Sequence, residues 1–398
     1  MNPSTRTATE RLRGQLADKL SSQATTRTAR IDRAFRAVPR HVFLPGHSLE
    51  DAYADHVVIT KRDEHGAALV SASQPTVIAI MLEQLQPGLG DRVLEIGAGT
   101  GYHAALLQEL VGPDGQVTTI DIDPEAADQA RTHLTTAGYP GVHVLAGDGA
   151  LGAATRAPYD RIIVTAGAWD LPPAWWHQLA DHSRIVVPLR WRGLTRTTAL
   201  EPRDGALTSL SMTMCGFIPM QGRDGERSLD LHADVTIYHD EDQPIDGRLR
   251  GVLDQSRYES WSGVTVGGNE PFDGVWLRLS TAESGTCRMV AQPTAVTSGR
   301  ATPAIPKLNP ALAECGSLAY FTFRRLPDTD GLSELGAIGH GPDGQLLSDR
   351  IIKHIHTWNQ HRTATPTLIA YPAGTPDDEL PTGASVIDKR HTRLTFAW

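Results

Sequence analysis

Three glycines in five positions, Gly97, Gly99 and Gly101, follow the apolar run Val93-Leu94-Glu95-Ile96 and lead into Tyr102. Such a turn lets the backbone bend sharply and lets a ligand approach with no Cβ in the way, while the N–H groups of a following helix point at it. Two acids stand in register with the turn. Asp121 ends the apolar stretch Val117–Ile120, where it can accept hydrogen bonds from two ribose hydroxyls. Asp148, between Gly147 and Gly149 after Val142–Ala146, can accept from the amino group of an adenine. Each acid alone also reads as a solvated strand-end carboxylate; the shared register raises both. The spacing is Gly-x-Gly-x-Gly, not the Gly-x-Gly-x-x-Gly that seats a pyrophosphate, and the chain has no Gly-Lys-Ser/Thr phosphate loop. The set points to S-adenosylmethionine, which carries adenosine and an amino-acid tail but no phosphate, and so to a methyltransferase ahead of a dehydrogenase.

The elements that must hold these groups are legible around them. A helix is predicted from Thr100 to Val111, and a second opens at Asp123-Pro124-Glu125 with a capping acid and an N1 proline, then stops at Gly138. Five alternations of strand and helix between Val93 and Leu189 predict a parallel sheet wrapped on both faces. Thr197–Leu200 and Leu207–Cys215 straddle a Pro-Arg-Asp-Gly turn and read as an antiparallel hairpin. Upstream lie two amphipathic helices, Glu10–Ser21 and Ile31–Val38, then a polar loop, Asp51–Val70, carrying Lys61-Arg62-Asp63-Glu64-His65-Gly66. Ser71-Ala72-Ser73-Gln74-Pro75 leads into an apolar helix, Thr76–Leu85. Beyond Gln221-Gly222-Arg223-Asp224-Gly225 the texture becomes short strands (Val264–Val266, Val275–Leu279, Leu318–Phe323, Thr392–Trp398) with one helix, Leu346–Gln360. The expected organisation is an N-terminal helical cap (1–50), an α/β cofactor domain (51–222) and a C-terminal α+β domain (223–398).

Composition narrows the rest. A chain of 398 residues with 40% hydrophobic and 21% charged residues can bury full cores, and a net charge of −9 offers no basic footprint for nucleic acid. The arginines between Arg27 and Arg40 read as solvated helix faces. Cys215, Cys287 and Cys315 show no paired spacing and read as buried reduced thiols. Met1-Asn2-Pro3-Ser4-Thr5-Arg6 has no apolar run behind it and no segment has the length of a membrane span, so a cytoplasmic protein is expected. His354-Ile355-His356 lacks supporting ligands, so no metal is expected.

Two further segments, Ala34-Phe35-Arg36-Ala37-Val38-Pro39-Arg40-His41-Val42-Phe43-Leu44-Pro45 and Ser73-Gln74-Pro75 with its helix, stand upstream of the glycine turn. With Gly147-Asp148-Gly149, Tyr159–Val164 and Arg184–Pro188, they make the chain from about Arg30 to Met220 resemble the protein-L-isoaspartate O-methyltransferases. The resemblance implies a class I S-adenosylmethionine-dependent methyltransferase: a Rossmann-like, seven-stranded doubly wound sheet, with S-adenosylhomocysteine as product. It places Ser73 on the family's active-site hydroxyl. It also implies a cofactor site of Ser71, Ala72, Glu95, Gly97, Ala98, Gly99, Thr100, Gly101, Tyr102, Asp121, Ile122, Asp148, Gly149 and Gln221. Tyr53, Asp55, Gln74, Thr165, Ala166 and Gly167 would face the acceptor.

The departures are informative. Ser71-Ala72-Ser73 stands where the family has Thr-Ile-Ser, Val164-Thr165-Ala166-Gly167 where it has Val-Gly-Ala-Ala, and the family ends near where the cofactor domain ends. The extra segment, with Trp261–Thr265, Glu334–Gly341 and His391–Leu394, looks like the actinobacterial branch encoded beside ribosomally made modified peptides, particularly lanthipeptides of the FxLD type. That branch implies methylation of an ordinary aspartate in a modified precursor peptide, with closure to an aspartimide and opening to isoaspartate. In either setting a carboxylate is already ionised and a sulfonium methyl already electrophilic, so positioning and desolvation suffice without a general base. The sequence accordingly shows no compelling His–Asp pair near the cofactor motifs. Ser73 would donate to one carboxylate oxygen, and it can also read as a helix N-cap, a role compatible with the first. The C-terminal domain would select the peptide, by strand addition or through Trp261, Tyr258 and Phe272, which also read as core. Rival readings are isoaspartyl repair, a non-catalytic scaffold, and a small-molecule O-methyltransferase.

Overall fold

The computed structural model describes residues 3–222, 225–327, 329 and 331–398; Met1 and Asn2, and Arg223 and Asp224 at the expected domain boundary, lie outside them. The N-terminal cap consists of α1 (Pro3–Ser22), α2 (Ala29–Ala37), a 3₁₀ turn (Arg40–Phe43) and α3 (Leu49–Tyr53). Ile31, Ala34 and Phe35 recur at helical spacing and are buried, which is why α2 forms and docks. The arginines of this region divide: Arg36 pairs with Asp18 and Asp32 at the surface, whereas Arg40 is fully buried, contrary to the expected solvated face.

The expected polar loop is a hairpin, β1 (Val58–Arg62) and β2 (Ala68–Ala72), paired antiparallel. Its turn is held by the Asp63 carboxylate, which accepts from the N–H groups of His65 and Ala67, with Gly66 at φ 83°. Charged residues at the tip hid the strands. Helix α4 (Pro75–Leu85) follows, then β3 (Arg92–Ile96), α5 (Tyr102–Val111), β4 (Gln116–Asp121), α6 (Pro124–Ala137), β5 (His143–Ala146), β6 (Tyr159–Val164), α7 (Pro173–His177), β7 (Leu179–Trp191), β8 (Leu194–Arg203) and β9 (Ala206–Met214). These seven strands lie in the order β5-β4-β3-β6-β7-β8-β9; the first five are parallel, and β8 and β9 add antiparallel as the predicted hairpin.

A second sheet comprises β10 (Glu226–His232), β11 (Val235–Asp240), β12 (Arg257–Val266), β13 (Thr286–Ala291), β14 (Asn309–Glu314), β15 (Ser317–Arg325) and β16 (Ser333–His340). It is antiparallel throughout, in the order β10-β11-β13-β14-β15-β16-β12. Within this stretch lie α8 (Asp273–Ala282) and α9 (Pro293–Thr297). Val275–Leu279, read from sequence as a strand, belongs to α8: Val275, Trp276 and Leu279 fall on one buried helical face, and so short an apolar run does not distinguish the two periods. Helix α10 (Gly344–Gln360) buries Leu347, Ile351, Ile355 and Trp358 against this sheet. Phe272 stacks on Phe321 and Arg324 covers Trp261, so both rings take part in the sheet's own packing. Cys287 is buried, but Cys315 is exposed in a turn, not buried as expected.

The last strands do not stay with the second sheet. β17 (Thr367–Pro372), β18 (Ser385–Asp388) and β19 (Thr392–Ala397) return to extend the first to ten strands, with β17 paired to β9. Sheet membership therefore does not follow a single division after residue 222. A polar seam joins the two sheets: Glu226 bridges Arg190 and Arg288, and the Asp240 carboxylate accepts from Arg192 N–H at 2.8 Å. Within the first sheet the Asp170 carboxylate accepts from His391 N–H and the Thr392 hydroxyl.

Candidate active site

A cavity of about 770 Å³ opens at the carboxyl ends of the parallel strands, where open α/β sheets place their ligands. The glycine turn forms its floor. Gly97 and Gly99 adopt φ of 104° and 52°, and added Cβ atoms would come within 2.5 Å of Thr165 Oγ1 and 3.3 Å of Ser71 O. Gly101, at φ 89°, caps α5 and backs against Ala130 of α6 instead of facing the cavity. Gly149 lines the cavity too; a side chain there would run into Ile96.

Both acids reach the cavity. Asp121 accepts from Gly99 N–H at 2.9 Å and Asp123 N–H at 3.1 Å, so the acid and the glycine turn are tied together before any ligand arrives. Each carboxylate oxygen keeps capacity for a further donor. Asp148 accepts from Ala150 N–H at 2.9 Å. Ile96, Ile120 and Ile122 supply apolar wall. Two carboxylates, a turn that excludes side chains and an apolar wall fit a nucleoside-bearing, phosphate-free cofactor. The β1–β2 hairpin borders the same opening, and Lys61 ties it to Asp123 (2.6 Å) and Glu125 (2.7 Å) at the start of α6.

Ser71, Ala72, Ser73, Gln74, Ala98, Thr100, Tyr102, Thr165, Ala166 and Gln221 also line the cavity. The Ser73 hydroxyl has no hydrogen-bond partner among the described residues. It is not the N-cap: Gln74 holds that position, and the cap bond comes from Asp55, whose carboxylate accepts from Thr76 N–H at 2.9 Å and Thr76 Oγ1 at 2.7 Å.

Several expected residues stand elsewhere. Glu95 is fully buried below the turn, where it accepts from Thr119 Oγ1 and contacts His103 Nδ1, both at 2.6 Å. Tyr53 is buried with its hydroxyl 2.9 Å from His41 Nδ1. Asp55 is engaged by Thr76 and Lys19, and Gly167 backs the cavity wall through Ile218 and Met220. The His103–Glu95 pair is itself a feature that sequence reading missed; it joins a strand to the next helix across eight positions, a spacing that neither period marks. Also unforeseen are Val77, Ile78 and Met81 of α4 and the wall Gly216–Met220, which runs from β9 toward the second sheet. His354, for which the sequence offers no supporting ligand, contacts Glu283 at 2.9 Å. Among the described residues no group could hold a metal ion, and no helix is long and apolar enough to cross a membrane.

The parallel sheet, the glycine turn and the two acids define a class I S-adenosylmethionine-dependent methyltransferase. The family model described as Protein-L-isoaspartate(D-aspartate) O-methyltransferase (PCMT) matches residues 11–225, and the chain belongs to that family. It is 41% identical over 217 residues to a protein-L-isoaspartate O-methyltransferase of Methanopyrus kandleri, covering 54% of this chain and 93% of the relative. The counterpart in Koribacter versatilis is 38% identical over 213 residues, covering 54% and 92%. A solved protein-L-isoaspartate O-methyltransferase structure, 20% identical with a TM-score of 0.50, covers 90% of this chain and 96% of its own. In that structure the likeness of fold reaches well past residue 225, whereas the relatives in Methanopyrus and Koribacter are matched almost to their full length by about half of this chain, as expected of enzymes that end near the cofactor domain.

Proposed function

We propose that the protein methylates the free α-carboxylate of an isoaspartyl residue, whose side-chain carboxyl is taken up in the peptide bond, in a peptide or protein. The observation that carries this reading is the Ser73 hydroxyl, which lines the cofactor cavity without a partner at the start of α4. The family and the substrate named for its relatives in Methanopyrus and Koribacter support the same acceptor. When bound, S-adenosylmethionine supplies a methyl group on a sulfonium. The chain's part is placement: Asp121 and Asp148 hold the nucleoside, Val77, Ile78, Met81 and Phe217 exclude water, and Ser73 donates to one acceptor oxygen. A carboxylate with an ordinary pKa near ~4 is ionised at neutral pH, so the His103–Glu95 pair has no proton to remove. Incubation with an isoaspartyl hexapeptide and its aspartyl isomer tests the proposal; S-adenosylhomocysteine should form with the first only.

A second acceptor is an ordinary aspartate in a modified, lanthipeptide-like precursor, methylated on the way to an aspartimide. One observation favours it: the cavity wall 216–221 leads toward the second sheet, so a peptide leaving the cavity along that wall meets a large surface able to select it. Gain of a methyl group followed by loss of methanol in the precursor's mass spectrum is expected on this reading, and turnover of the isoaspartyl hexapeptide alone would rule it out.

A further inference from the structure

The elbow that carries Ser73 is gripped from both sides by charged residues that do not line the cavity. Arg40 is completely buried, and its Nε donates to Ala52 O at 2.9 Å while Nη2 donates to Ser73 O at 3.0 Å. Its guanidinium lies 4.8 Å from the centroid of the Tyr102 ring, and its Nη1 has no partner among the described residues. No carboxylate among the described residues forms an ion pair with it, and burial pushes its pKa below the ordinary arginine value against the opposing pull of Tyr102 and Asp55. A buried guanidinium served by two carbonyls and a ring is costly, and an apolar residue of similar volume would fill the space without that cost. Three residues beyond Ser73, Asp55 caps α4 through both donors of Thr76 and is held in turn by Lys19 of α1 at 3.2 Å. Burial works to raise the Asp55 carboxyl, but Thr76 and Lys19 outweigh it and hold the group below its ordinary value.

We propose that Arg40 and Asp55 are positioning residues that fix the Ser73–Thr76 elbow from its two ends and so aim the Ser73 hydroxyl at the acceptor. The inference rests on Ser73 being the acceptor-side donor. Between the two grips lie only Gln74 and Pro75, and the proline ring fixes one of the few torsions left. The Ser73 carbonyl is anchored, so rotation of its peptide plane, which would swing the side chain away, is blocked. Arginine suits the task because a rigid fork reaches two carbonyls in different directions while its plane lies against an aromatic ring; a lysine ammonium meets only part of that. The N-terminal cap thereby acts on the acceptor half of the site, and it approaches the cofactor turn where Arg40 contacts the Tyr102 ring next to Gly101.

The test uses Arg40→Lys and Asp55→Asn, each in the wild-type and Ser73→Ala backgrounds of the full chain, with an isoaspartyl hexapeptide as acceptor and cofactor affinity by calorimetry. Arg40→Lys should lower kcat roughly tenfold and Asp55→Asn about three- to tenfold, with the cofactor Kd within about twofold, and each effect should shrink to under about twofold when Ser73 is already alanine. Equal losses in both backgrounds, or a parallel loss of cofactor affinity, would assign the pair a general structural role and overturn the proposal. If Arg40→Lys does not fold, Asp55→Asn decides the matter by the same criterion. Loss of activity in Ser73→Ala with no change in either positioning variant would refute the grip alone, whereas an unchanged Ser73→Ala would remove the Ser73 reading and the grip with it.

Discussion

The two halves of the cavity are built in opposite ways. On the cofactor side the site is backbone: Gly97, Gly99 and the N–H groups around Asp121 lie within a short stretch of chain and create the seat by their own conformation. On the side proposed for the acceptor, the elbow that carries the Ser73 hydroxyl is held by residues distant in sequence: Arg40 at the Ser73 carbonyl, and Asp55, itself paired with Lys19, at Thr76. A seat made locally fails when its own residues change, whereas a side chain placed by others fails at a distance.

The largest effect that would break this contrast is on the turn. Gly97→Ala forces a side chain into a left-handed conformation 2.5 Å from Thr165 Oγ1, and cofactor affinity by calorimetry should fall by about 100-fold or more. A Kd within threefold of wild type would show that the turn is not the seat. Ser73→Ala should lower kcat/KM by about 10- to 100-fold and leave cofactor affinity untouched, the reverse partition. Lys61→Ala frees the hairpin from Asp123 and Glu125. Because the lysine is exposed, steady-state kinetics should show only a few-fold rise in KM, diminishing as salt is added.

The smallest effect at neutral pH lies outside the cavity lining. His354 first, and then Arg350, hold the Glu283 carboxyl down at about 2. A depressed carboxylate contributes stability above its unfolded value near ~4.5 that is lost as pH falls through that value toward 2. Melting temperature followed from pH 5 to pH 2 should therefore drop more steeply in wild type than in Glu283→Gln, with identical kinetics at pH 7; parallel melting curves would show that the pair contributes nothing.

The same contrast explains what could be read from the sequence. Asp123, Pro124 and Gly138 mark α6 because capping chemistry is local, and the structure places the Asp123 side chain on Glu125 N–H and Gly138 at φ 93° as expected. The glycine turn and both acids were legible for the same reason. Arg40 looked like one more surface arginine, and Asp55 like an acceptor contact, because burial and capping partners thirty-three and twenty-one positions away leave no local mark. Glu95 was misplaced because the motif gives its position but not which side of the strand it serves. The return of β17–β19 was invisible too, since an alternating strand does not announce which of two open edges it will join.

That return has a consequence for how the protein is made. β9 finds its partner only when Leu368 reaches Ser209, 159 positions later, where its N–H donates to the serine hydroxyl at 2.9 Å. At a synthesis rate of about 5–20 residues per second, roughly 8 to 32 seconds pass between the emergence of the two strands. Through that interval the nascent cofactor domain presents β9 as an open strand edge, the kind of template on which unrelated chains pair. Strands β17 to β19 thus cover the β9 edge and leave the four-residue β18 as the outer strand in its place, and a ribosome that stalls before them leaves a methyltransferase fold with an adhesive side.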